Sequence, residues 1–195
     1  MNFLKARWQN LVMANYAVPP SLLEPFLPAG TELDFYEGRT FVSLVGFMFL
    51  RSRLFGIPIP GFGSFEEINL RFYVLRKEGD EKRRGVVFIN ETVPSGIVAW
   101  VANKLYKEHY SSIPTRHTWL SDDTSLSIEY KWKLPSAWNY LRVLALAKTE
   151  PMQTGSIEEF IFEHYYGYTS RVNNKSQEYK SQDLPESVFF HTPVF

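Results

Sequence analysis

Glu91 is the first side chain in the sequence that invites chemistry. Strand alternation over residues 83–93 puts it on a face with Val87, Ile89 and Val93, a carboxylate among apolar neighbours. A carboxylate held there loses hydration, its pKa rises, and it becomes suited to general acid or base work. The ordinary reading leaves Glu91 at a strand end, reaching water or a basic partner. Residues 65–74 offer a second set. Ile68, Leu70, Phe72 and Val74 share one face; Glu67, Asn69, Arg71 and Tyr73 share the other. Such a polar row is commonly the wet side of a sheet. If the row instead lines an interior, Arg71 can grip a ligand carboxylate through paired N–H bonds, with Glu67 and Asn69 beside it.

Lys104 is a third case. At helical spacing it falls between Ile97, Trp100 and Val101, on the face expected to be buried. A desolvated lysine can act as a Schiff-base nucleophile, whereas a lysine in a last helical turn ordinarily snorkels to water. His109, Tyr110 and His117 follow this helix and could face the same interior; lone histidines are more often structural. The four histidines show no metal-ligand spacing, and there is no glycine-rich phosphate loop, His-Glu-x-x-His or Gly-x-Ser-x-Gly. No metal and no cofactor are therefore expected.

Positioning these residues is the work of many strands and few helices. Residues 7–18 read as a strand, and 19–28 as one short helix opened and closed by proline. Residues 31–36 and 39–51 flank Glu37-Gly38-Arg39 as a hairpin, and the second strand, apolar on both faces, should be central. Residues 54–64, rich in Gly and Pro, read as a loop at the mouth of the fold. A second hairpin joins 65–76 to 83–93 through Glu78-Gly79-Asp80, with mixed charges at its solvated tip. A helix runs from Gly96 to about Tyr106. An amphipathic strand covers 124–134, another strand follows near 140–147, Ser156 caps a second helix, and 187–195 close the sheet. The fold class is α+β, mainly antiparallel β, in a single domain over 1–195, curled into a barrel or cone with two or three outer helices.

Composition narrows the function classes. Hydrophobic residues make up 45% of the 195, enough for a core and too many for a disordered chain. Lys plus Arg equals Asp plus Glu at 21 each, so no global basic surface exists to neutralise nucleic acid. Cysteine is absent, which removes disulfides, thiolate metal sites and thiol nucleophiles. No apolar run reaches the ~20 residues that span a bilayer, and the N-terminus has no signal-like apolar region, so a cytoplasmic protein off the membrane is expected.

Several segments together resemble a known family. Ala6-Arg7-Trp8-Gln9-Asn10-Leu11, Val18-Pro19-Pro20, Leu27-Pro28-Ala29-Gly30, Val42-Ser43-Leu44-Val45-Gly46-Phe47, Phe65-Glu66-Glu67-Ile68-Asn69-Leu70-Arg71-Phe72-Tyr73-Val74 and Arg84-Gly85-Val86-Val87-Phe88-Ile89 occur in the order of the YqjF-like family, DUF2071. That family is similar to the acetoacetate decarboxylase-like superfamily. The resemblance implies a cone-shaped β-barrel around a partly apolar cavity. In true acetoacetate decarboxylases a Schiff-base lysine sits beside a second lysine; here the corresponding register falls on His109-Tyr110-Ser111, which has no lysine. Imine decarboxylation is therefore not implied. Glu163-His164-Tyr165 stands where the family is expected to carry Glu-Arg-Tyr, and a His-Pro-Trp element is missing between Lys180 and Pro185, as if the chain were internally shortened.

The expectation is a small-molecule-binding protein whose polar lining is Glu67, Asn69, Arg71, Tyr110 and His117. Arg71 would be the anion anchor, and Glu91, His109 and Lys104 the candidates for catalysis. The ligand would bear a carboxylate or ketone. The alternatives are a lyase or hydrolase on small oxo or carboxylic acids, and a structural or partner-binding barrel. Exposed sheet edges and abundant aromatics also raise the expectation of a homo-oligomer.

Overall fold

The computed structural model describes residues 4–54, 57–58, 63–106, 109–148, 150–170, 176–180 and 188–191. Its strands are β1 (Leu4–Val18), β2 (Thr31–Leu33), β3 (Thr40–Leu54), β4 (Ile57–Pro58), β5 (Ser64–Glu78), β6 (Glu81–Val93), β7 (Tyr110–Ser112), β8 (Thr115–Ser121), β9 (Ser125–Lys133), β10 (Trp138–Leu146), β11 (Tyr166–Ser170), β12 (Ser176–Lys180) and β13 (Val188–His191). Helix α1 (Gly96–Tyr106) follows β6, and α2 (Ile157–Phe162) precedes β11.

Ten strands form one sheet with the path β12-β11-β6-β5-β3-β1-β13, and β2, β4 and β7 attach beside it. The middle pairs are antiparallel, whereas β13 joins β1, β11 joins β6 and β7 joins β6 in parallel. β3 is central between β1 and β5, as its two apolar faces predict. The turn between β5 and β6 places Gly79 at a φ of 61°, a conformation glycine reaches without a Cβ penalty. Ion pairs Arg76–Glu78, Arg83–Glu78 and Arg83–Glu81 clothe that hairpin tip.

The expected barrel does not close. Among the described residues the terminal strands of the path, β12 and β13, do not pair with one another. The amphipathic strands β8, β9 and β10 are not built into the wall either; they form a separate three-stranded sheet. Their apolar side (Ile128, Tyr130, Trp119, Leu126, Leu141, Val143) packs on Val12, Met48 and Ile68 of the large sheet. An alternating strand can satisfy its apolar face against a second layer as well as in a barrel wall, and sequence alternation does not distinguish the two. Gly46 permits this layering: a Cβ there would stand 2.7 Å from the Tyr130 ring.

The opposite face of the large sheet carries the helices. Leu11, Met13, Val45, Phe47, Phe49, Phe65, Tyr73, Val86 and Val93 pack there with Ala99 of α1 and with Phe160 and Ile161 of α2. Ser156 caps α2 by accepting from the Glu159 N–H at 3.2 Å, as its sequence predicts.

Three local expectations change. Residues 19–28 form two 3₁₀ turns, Pro20–Leu22 and Glu24–Phe26, in place of one helix; Pro25 lacks the N–H a continuous helix would need there. β2 pairs with β5 and not with β3, although Tyr36 and Arg39 still bridge across the tight turn. The loop expected at 54–64 lies largely outside the described residues, and its two-residue strand β4 folds back on β3. Of the closing strand expected at 187–195, β13 is the described part.

Candidate functional site

β5 crosses the middle of the large sheet, and its odd-numbered side chains face the helices. Phe65 and Tyr73 at the ends of this row belong to the apolar core, while Glu67, Asn69 and Arg71 lie between them. The polar row is therefore not the wet side of the sheet: Glu67 is 2% exposed, Asn69 is buried and Arg71 is half-buried. On β3, Phe47 opposes Glu67, Val45 opposes Asn69 and Ser43 opposes Arg71. On β6, Glu91 opposes Asn69 and Phe88 opposes Arg71.

These last two pairs skip Ile89. The register shifts between Leu70 and Arg71, so Ile89 is the extra residue of a β-bulge. Val87 and Ile89 pack in the cluster of Phe72 and Val74, on the far face, whereas Val93 lies with Phe88 on the helix face. The simple alternation that put Glu91 beside Val87 and Ile89 is thus corrected: the bulge flips Glu91 onto the face of Asn69. There it is buried, its N–H donates to the His109 carbonyl at 3.0 Å, and Tyr110 of β7 is its parallel partner.

The Glu67 carboxylate is the centre of the cluster. Asn69 Nδ2 donates to one oxygen at 3.1 Å and the Tyr110 hydroxyl to the other at 3.0 Å. Burial pushes the Glu67 pKa up to about 7, while those two hydrogen bonds and the nearby Arg71 charge hold it from rising further. Near neutral pH the group is therefore populated in both protonation states, the condition a proton-transfer group needs.

A second polar knot adjoins it. The Ser43 hydroxyl donates to Asn15 Oδ1 at 2.6 Å and so accepts from the Tyr73 hydroxyl at 2.5 Å. All three side chains are buried. Sequence reading missed Asn15 and Ser43, although an Asn or Ser inside a long apolar strand is itself a signal, since both residues fit strands poorly without a specific partner. Among the described residues, three buried atoms of these two knots have no hydrogen-bond partner: the donors Asn15 Nδ2 and Arg71 Nε and the acceptor Asn69 Oδ1.

The structure thus brings Glu67, Asn69, Arg71, Glu91 and Tyr110 together. Lys104, His109 and His117 lie elsewhere. α1 buries Ala99 and leaves Ile97, Trp100 and Lys104 exposed, with the Lys104 ammonium 4.8 Å from the centroid of the Trp100 ring. The face expected to be buried was rotated, because small Ala99 allows closer packing than Trp100. His109 is exposed and contributes its backbone carbonyl. His117 sits on β8, 2.6 Å from Glu66, a residue on the other face of β5.

Another buried group joins the turn after β2 to α2. Asp34 accepts from Arg84 Nε at 3.0 Å and from His164 Nε2 at 3.1 Å, and Arg84 also pairs with Glu163. His164 Nδ1 lies 2.7 Å from the Phe160 carbonyl. Burial lowers the His164 pKa against the upward pull of Asp34. This group positions α2 against the sheet. Two surface clefts, of about 580 Å³ beside the 3₁₀ turns and β2 and about 410 Å³ on the small sheet, include none of the cluster residues. No group of three metal-ligating side chains occurs among the described residues, and none of their helices is long and apolar enough to cross a membrane.

Comparison with known proteins places this geometry in context. The model of the DUF2071 family, described as an uncharacterized conserved protein, matches residues 5–183. The uncharacterized protein YqjF of Bacillus subtilis is 36% identical over 75 residues, 38% of this chain and 31% of that protein. The acetoacetate decarboxylase of Legionella pneumophila superposes with a TM-score of 0.60 at 14% identity, over 91% of this chain and 65% of that one. An acetoacetate decarboxylase-like enzyme of Sphingomonas wittichii gives 0.56 at 14% identity, over 85% and 63%. The enduracididine biosynthesis enzyme MppR gives 0.55 at 13% identity, over 85% and 60%. The chain thus spans less than two thirds of the length of these structures, and at such identities the likeness is one of fold.

Proposed function

The chain belongs to the DUF2071 family of uncharacterized conserved proteins, and on that premise we propose that its buried Glu67–Asn69–Arg71–Glu91–Tyr110 cluster binds a small carboxylate- or ketone-bearing molecule. One observation carries the reading. A carboxyl with a pKa near 7 is fixed by two donors beside a guanidinium whose buried Nε has no hydrogen-bond partner among the described residues. Unmatched buried donors cost stability, and a ligand oxygen at Arg71 would relieve that cost. The likeness in fold to acetoacetate decarboxylases, whose substrate is a small oxo acid, supports the ligand class. A cytoplasmic setting belongs to the same proposal.

A thermal-shift screen with pyruvate, acetate and acetone tests it. At least one carboxylate is expected to raise the melting temperature of the wild type, and Arg71→Ala is expected to abolish that response. A carboxylate shift that survives Arg71→Ala removes the anchor.

A second reading, proton transfer on a bound oxo acid, is favoured by the Glu67 pKa alone. Glu67 would replace Glu91 as the acid or base. Tyr110 offers a hydroxyl where the decarboxylase resemblance would require an amine, so the reading does not pass through an imine. Solvent deuterium appearing in pyruvate incubated with the wild type, and not with Glu67→Gln, is the expected sign.

A further inference from the structure

The buried atoms that lack a hydrogen-bond partner among the described residues fall on two neighbouring levels of the large sheet. Asn15, Ser43 and Arg71 are cross-strand neighbours on β1, β3 and β5, and both open donors, Asn15 Nδ2 and Arg71 Nε, belong to that level. Val45, Asn69, Glu91 and Tyr110 form the next level on β3, β5, β6 and β7. It holds the open acceptor, Asn69 Oδ1, with Glu91 directly opposite and the Glu67 carboxyl 3.1 Å from Asn69 Nδ2. One level thus presents donors and a guanidinium charge. The other presents an acceptor between two acidic side chains.

We infer, on the premise that this cluster is the carboxylate site proposed above, that its ligand is a 2-amino acid, with the carboxylate on Arg71 and the ammonium on Asn69 Oδ1 between Glu67 and Glu91. Side chains two residues apart on one face of a strand stand ~7 Å from one another. A hydrogen bond of ~2.9 Å at each end leaves a short span, which an ammonium and a carboxylate on neighbouring carbons fill. A plain oxo acid offers Asn69 Oδ1 only another acceptor. A hydroxy acid offers a donor but adds no positive charge beside the two acidic side chains. An ammonium supplies both, and the zwitterion brings no net charge into a buried site.

Calorimetric titration of the full chain with propionate, pyruvate, lactate and alanine tests it, the last two as both enantiomers. These acids share one carbon frame and differ only at the second carbon. One enantiomer of alanine is expected to bind at least about tenfold more tightly than the other acids, the worth of a hydrogen bond to a charged group. At pH 7 its binding should also release up to about half a proton, because an ammonium beside Glu67 pulls down a pKa that stands at about 7. Glu67→Gln is expected to abolish that release. Carboxylates that bind with no preference for alanine overturn the inference and leave the carboxylate site standing. Lactate as tight as alanine, or alanine binding to the wild type without proton release, overturns the place of the ammonium. Failure of all these acids to bind removes the inference and the carboxylate site together. The ligand series and the proton release are read on the wild type, so the outcome does not depend on the folding of the variant.

Discussion

The helix face of the large sheet and the outer face of the small sheet invert the usual distribution of polarity. The first buries Glu67, Asn69, Glu91, Asn15 and Ser43 among Phe47, Phe49 and Phe65; the second exposes Trp138, Tyr140, Leu144 and Leu146 to water. Each is unfavourable taken alone. Buried polar atoms without partners forfeit hydration, and exposed apolar side chains forfeit the gain of burial. The comparison teaches that in this chain burial does not follow polarity: long-range strand pairing, not side-chain type, sets which face is covered.

The largest expected effect lies in the ring frame of the buried cluster. Phe47→Ala empties a site that is packed 5.1 Å from Trp8 and 4.9 Å from Phe49, centroid to centroid. Denaturant unfolding should show a loss of about 3–5 kcal/mol. A loss below about 1 kcal/mol would mean that this face is loosely packed and would break the contrast at its root.

Next in size is the pH dependence of the cluster. The native Glu67 carboxyl keeps its proton to about pH 7, against an ordinary value of 4.5 that the unfolded chain approximates. The stability it contributes is therefore complete below about pH 4.5 and is lost as pH rises through about 7. Glu67→Gln should remove up to ~3 kcal/mol of that slope and leave the variant more stable than the wild type above pH 7. Parallel stability–pH curves for the two proteins would show that Glu67 does not titrate as placed.

The smallest effect belongs to the outer face. Leu144→Ala, at a side chain 77% exposed, should change unfolding by no more than about 0.5 kcal/mol. A larger loss would show that Leu144 packs within its own chain and would sharpen the boundary between core and surface.

Much of this was legible in the sequence. The alternation of β5 singled out Glu67, Asn69 and Arg71, and α1, the β5–β6 hairpin and the cap of α2 followed from local patterns. The pairing of Tyr110 with Glu67 was not legible in detail, because the two residues are 43 apart and meet through the parallel addition of β7 to β6. The face of Glu91 was misjudged because a bulge changes the count by one residue, and at a period of two that reverses every later side chain. Lys104 reaches water, as a lysine in a last helical turn ordinarily does; the buried face of α1 differs from the expected one because a mean helical period does not say whether tryptophan or alanine meets the sheet.

The sequence by itself determined which residues are polar in apolar strands, the strands over 7–18, 39–51, 65–76, 83–93, 124–134 and 140–147, and that no thiol chemistry is available; β7, β8, β11 and β12 it did not show. What it determined are local properties of composition and period. Only the tertiary structure decided that the alternating strands 8 to 10 lie over the sheet instead of closing it, and that five polar side chains from β5, β6 and β7 share one buried face. Register, bulges and the order of strands arise from long-range pairing, which no local pattern encodes.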